Sequence, residues 1–141
     1  MIDIESQIYR AVLEGVTPTL ETLGVQYPAN HVANDYVKQP PVFPHVSVCE
    51  VNNATERQTQ TSSSSENHAL LTYEVSTYSN KQIGRKTECK ALAKAADEVM
   101  LRLGFTRVSL EPVPNLLDAT VYRIVGRYTV LVSKDEILYR R

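Results

Sequence analysis

The chain has 141 residues, enough for one domain whose core needs neither a disulfide framework nor a structural metal. Lys and Arg number 15 against 16 Asp and Glu, a net charge of −1, so no global field draws the protein to nucleic acid or anionic lipid, and any such contact has to be local. Cys49 and Cys89, the only two cysteines, are too few and too far apart for a disulfide scaffold or a zinc site and read as reduced, partly buried thiols.

The opening run MIDIESQIYR is acidic and amphipathic and lacks the basic and apolar regions of a signal peptide. No stretch approaches the ~20 apolar residues of a membrane span, so the expectation is a soluble protein made in a reducing cytoplasm. Asp3 can cap a first helix in which Ile4, Ile8, Ala11 and Val12 recur at helical spacing, with Glu5, Gln7, Arg10 and Glu14 facing out. Gly15 and Pro18 interrupt the pattern. Thr17 before Pro18 also reads as a fresh cap, so a helix that ends early and one that kinks and continues to Leu23 both fit, with Gly24 as the stop.

Residues 25–44 carry Pro28, Pro40, Pro41 and Pro44 and predict an irregular surface connection, with a short edge strand near 25–27. Dense β-branched residues over 42–51 predict a strand, Val46 and Val48 alternating with Ser47 and Cys49. The following NNATERQTQTSSSSEN has Ala54 as its one apolar residue and buries too little to offset the entropy of ordering. Leu71, Tyr73, Val75 and Thr77 then alternate with Leu70, Thr72, Glu74 and Ser76, a second strand antiparallel to the first. Together these make a long β-hairpin whose tip, Thr55, Arg57, Gln58, Thr59, Gln60 and Thr61, is a candidate for docking a partner protein.

A second helix presents Leu92, Ala95, Ala96, Val99 and Leu103 as its apolar stripe and ends at Gly104. Strands are predicted over 105–112 and 120–132 with a turn at 114–118, and a last short one over 137–139. The expected fold is α+β: a mainly antiparallel sheet of about four strands, two helices packed on one face, and a protruding hairpin, all in a single domain.

Little in this pattern points to chemistry. His31, His45 and His68 lack the i, i+4 spacing that puts two imidazoles on one metal, and no glycine-framed serine, activated cysteine or phosphate loop is present. No catalytic residue, cofactor or metal is assigned. Lys86, Lys90 and Lys94 share one helix face, which reads either as a solvated face or as a stripe for docking or for facing phosphates. In the 120–132 strand Tyr122, Ile124, Tyr128, Val130 and Val132 form one side, and Val121, Arg123, Val125, Arg127, Thr129 and Leu131 the other. With helices on the first side, the second exposes Val121, Val125 and Leu131 beside two arginines, the composition of an oligomer interface. The alternative is that the 25–44 connection covers it. The interface reading expects Val125→Asp to break oligomers while the monomer stays folded.

The runs YSNKQIGRKTECKALAKAADEVMLRLGFTRV and EPVPNLLDATVYRIVGRYTVLVSKDEILYRR resemble the tail-completion or tail-terminator proteins of long-tailed bacteriophages, often called minor capsid or head-tail joining proteins. The likeness covers roughly residues 72 to 141 and rests on the spaced elements YSNK, LGF, PVPN, YR, RY and ILYRR. It implies a virion protein of the tail-neck junction, assembled in the host cytoplasm, whose copies form a ring, commonly a hexamer. Such a ring caps the tail tube protein, meets a neck or head-completion protein, and lets phage DNA pass with transient, non-specific contact. The family supplies no catalytic residues. Another connector, neck or minor capsid protein is the close alternative, and a nucleic-acid module using Lys86, Lys90, Lys94, Arg123 and Arg127 the distant one.

Overall fold

The computed structural model describes residues 3–35, 39–55, 68–114, 118–133 and 138–139. Helix α1 (Glu5–Thr22) runs unbroken past Gly15 and Pro18, because Ile8, Val12, Val16 and Leu20 keep a four-residue apolar repeat buried along its whole length. Pro18 lies on the exposed side, where the lost N–H leaves the Glu14 carbonyl to water. Ile4 takes the cap position, and Asp3 instead accepts the Glu5 N–H at 3.1 Å through Oδ1.

A 3-10 turn (Pro28–His31) leads into β1 (Val32–Ala33), so the edge strand forms several residues later than the 25–27 expected. Tyr9 of α1 donates from its hydroxyl to the Val32 carbonyl at 3.3 Å and ties this edge to the helix. Strands β2 (His45–Thr55), β3 (His68–Ser79), β4 (Thr106–Pro112), β5 (Tyr122–Ser133) and β6 (Leu138–Tyr139) complete one sheet in the order β1-β2-β3-β5-β4, with β6 also on β5. Among the described residues only the β1–β2 pairing is parallel. The β2–β3 hairpin is longer than its alternation suggested and carries a bulge between Glu50 and Asn52.

Helix α2 (Arg85–Arg102) follows β3 and packs with α1 on the same side of the sheet. Both helices end in the same way. Gly24 and Gly104 take φ of 91° and 104°, and the next amide in each case, Val25 or Phe105, reaches back to Leu20 or Met100 at 3.0 and 3.1 Å. The core joins Ile8, Val12 and Leu20 of α1 to Leu92, Val99 and Met100 of α2, and both to Val46, Leu71, Tyr73, Tyr128 and Val130 of the sheet. Each such large apolar side chain contributes about 1.5–3 kcal/mol.

The buried face of α2 differs from the stripe expected. It holds Glu88, Cys89, Ala93 and Asp97 along with Leu92, Ala96, Val99 and Met100, while Ala95 and Leu103 are partly covered. Acids on a buried face are tolerable because each meets a donor. Tyr128 donates to Asp97 Oδ1 at 2.8 Å, Arg107 pairs with Oδ2 at 2.7 Å, and Ser79 donates to Glu88 Oε1 at 2.8 Å. The Tyr128 ring lies over Gly126, where a Cβ would come within 2.8 Å of it.

The two helices touch where Gly15 faces Val99, since a Cβ at 15 would collide with the Val99 Cγ2 methyl. Gly15→Ala should therefore destabilise the protein by roughly 1–3 kcal/mol in urea unfolding, against the ~1 kcal/mol gain that helix propensity alone gives. Combining it with Val99→Ala should recover part of the loss.

Candidate functional site

With both helices on one side, the other side of the sheet carries the alternate side chains of its strands. The register builds rows across three strands: His45, Tyr78 and Arg123; Ser47, Ser76 and Val125; Cys49, Glu74 and Arg127; Asn52, Thr72 and Thr129; Ala54, Leu70 and Leu131. Alternation alone puts these on one face.

Glu74 is the centre of this face. It lies directly opposite Arg127, whose Nη2 is 3.1 Å from Oε2, and its Oε1 takes the Arg123 guanidinium at 3.4 Å. Arg123 also donates to Ser76 Oγ at 3.2 Å and lies 5.5 Å above the Tyr78 ring, so its charge is met by a carboxylate, a hydroxyl and a π face. A pocket of about 320 Å³ opens here, bounded by Glu74, Ser109, Glu111, Val113 and both arginines.

Val121 and Val125, expected to be exposed, are not: they retain 6% and 7% exposure. Val125 is bracketed by Ser76 and Glu111 and lines the same pocket as the two arginines. Val121 lines a second pocket, of about 380 Å³, with Pro112, Val113, Pro114 and Ala119 from the flanks of the β4–β5 turn. Arg127 stays exposed, and Arg123, Thr129 and Leu131 are half-buried. A Val125→Asp change would therefore burden the fold itself, which makes it a poor test of an interface.

The other sequence candidates are dispersed. The hairpin tip residues Arg57, Gln58, Thr59, Gln60 and Thr61 lie outside the described residues, and Thr55 closes β2. Lys86, Lys90 and Lys94 are all exposed on α2, away from the Glu74 cluster. Lys90 and Lys94 stand over a groove between α2 and β4 that no motif marks. Neither cysteine is in a disulfide; burial raises the Cys89 thiol to about 11, with Thr77 hydrogen-bonded beside it.

His45, at one end of the rows, is buried beside Tyr78, with ring centroids 6.2 Å apart, and among the described residues neither ring nitrogen finds a hydrogen-bond partner. Burial, reinforced by nearby His31, lowers it to about 4. His31 itself lies 2.6 Å from the Pro44 carbonyl through Nδ1, which must then carry the proton. Among the described residues no group of His, Cys, Asp or Glu is placed to hold a metal ion, and no helix is long and apolar enough to cross a membrane.

The arrangement is a surface of paired charges on a rigid sheet, suited to protein contact. No family model matches the chain, and no curated protein matches it. Among solved structures its fold is similar to that of a chain in the virion of a native gene transfer agent particle: TM-score 0.58, 15% identity, 89% of this chain covered and 92% of the other. What the two share at that identity is the α+β fold, over nearly the full length of both.

Glu74→Ala should cost roughly 1–3 kcal/mol, because it strands the half-buried Arg123, while Arg127→Ala should cost under about 1 kcal/mol. Thermal unfolding of the two variants checks the asymmetry. Between pH 6.5 and about 4 the unfolded chain binds a proton at His45 that the folded protein refuses, so stability should fall as pH drops through that window. A His45→Phe variant should show a flatter pH profile over the same range.

Proposed function

We propose that this protein is a structural subunit of a phage-type virion, acting as the tail terminator that forms a ring on the finished tail tube and joins it to the neck. The observation that carries this is the fold shared, over 89% of the chain, with a component of a gene transfer agent virion. The resemblance of residues 72 to 141 to tail-completion proteins supports the narrower placement. No catalytic role is proposed.

In this reading the open face of β5 turns toward a neighbouring subunit through Arg127, Thr129 and Leu131, with Arg123 behind them. A ring needs two unlike patches on each copy, related by a rotation that closes. Near-neutral charge suits a conduit through which DNA must slide, since a strongly basic lining would hold it. The hairpin, whose paired strands run to Thr55 and His68, would reach the tube or neck protein with its tip.

Native mass spectrometry and negative-stain images of the purified protein should show closed rings, six copies being the expected number. A strict monomer at high concentration with salt-sensitive DNA affinity would overturn the reading in favour of a nucleic-acid module. Replacing residues 57–65 by a short turn should leave folding intact and abolish the joining of heads to tails; wild-type yields of infectious particles would remove the tip from the proposal.

A further inference from the structure

The sheet has two different ends. At one, α1 and the 3-10 turn border β1; at the other, α2 borders β4. Strand β4 pairs only with β5 among the described residues, and it carries Val108 and Leu110 at 62% and 38% exposure. Apolar side chains on an edge strand are an aggregation hazard unless something covers them.

Beside them lies the groove between α2 and β4, about 190 Å³, floored by Ala93, Leu110, Pro112 and Ile124. Its polar rim is Lys90, Lys94 and Glu111, so it is net positive. This is below the ~300–1,000 Å³ of small-molecule sites and suits a single inserted side chain. The solvent face of α2 extends the charge, with Lys86 and Arg102 also exposed and Glu98 the one exposed acid on the helix.

The opposite end supplies the complement. Tyr27, between α1 and the 3-10 turn, is 64% exposed, a large aromatic with nothing over it at the corner of the molecule. Glu21 is exposed in the last turn of α1, which has no basic residue to offset it, and Glu14 lies exposed two turns earlier. The helix C-terminus adds its own negative end. An exposed tyrosine backed by acids fits an apolar slot rimmed by lysines.

We propose that Tyr27 and Glu21 of one copy dock into the α2–β4 groove of a second copy, Tyr27 on the apolar floor and Glu21 against Lys90 and Lys94. The contact is head-to-tail, because donor and acceptor lie at opposite ends of the same sheet, and repeating it generates a ring or an open filament. It rests on the ring-forming role proposed above and names the surfaces that close the ring. Centred on β4, it also brings Arg127 on the other side of the sheet to the margin of the same interface.

Two defective variants test it together. Tyr27→Ala removes the knob and keeps the groove; Leu110→Glu blocks the groove and keeps the knob. Each alone should be a folded monomer by circular dichroism and light scattering, with self-association weakened at least roughly 30-fold. Mixed in equal amounts they should form a dimer and nothing larger. Should Leu110→Glu unfold, Lys90→Glu with Lys94→Glu, all surface changes, takes its place, and Glu21→Lys in the partner should restore its assembly. Rings that persist in both variants, or a mixture that stays monomeric, overturn this interface and leave the ring reading standing. Wild-type protein that is monomeric at every concentration overturns both.

Discussion

Two helices cover one face of a sheet, and the other face must then be stable in water without becoming a sticky apolar plane. Glu74 meets that constraint in this protein. By holding Arg127 across the strand and Arg123 on the diagonal, it fixes two long side chains around the pocket that Val125 lines, and Arg123 in turn rests on Tyr78. The result is a face whose interior is apolar and whose outer skin is charge that is already paired. Such a surface resists random association yet can trade its internal ion pairs for partners of matched geometry.

The covered side is organised by polar contacts as much as by apolar ones. Asp97 joins α2 to β4 through Arg107 and to β5 through Tyr128; Glu88 and Cys89 join the same helix to β3 through Ser79 and Thr77. Burial and the Asp97 carboxylate together push the Tyr128 hydroxyl well above its ordinary range, so it stays a donor under all physiological conditions. A helix packed by fatty contacts alone could rotate or slide; these bonds set its register on the sheet. Gly126 and Gly15 belong to the same design, one making room for the Tyr128 ring and the other for Val99.

The fold class, both helices, the hairpin and the antiparallel sheet were legible because alternation and the four-residue repeat are strong over those spans. Legibility failed where long-range contacts decide. Nothing in the helical pattern marks Asp97 or Glu88 as buried, since their donors lie on other elements: Tyr128 in β5, 31 residues beyond Asp97, and Ser79 at the end of the preceding strand, nine residues before Glu88. The alternation in β5 puts Val125 on the side away from the helices, but exposure depends on which side chains lie beside it, and Glu74 is an antiparallel strand away. Pro18 suggested a break that Val16 and Leu20 override by burial. The α2–β4 groove was invisible for the same reason, as it is made by two elements that meet only in three dimensions.

Since α2 is fastened from beneath by Asp97, Glu88 and Cys89, its outward residues contribute little to holding the protein together. Substitutions there change what the molecule meets without changing how it folds. Charge on that outer face is thus set apart from the bonds that hold the helix, and the same α+β architecture is compatible with a sequence of which only 15% is shared.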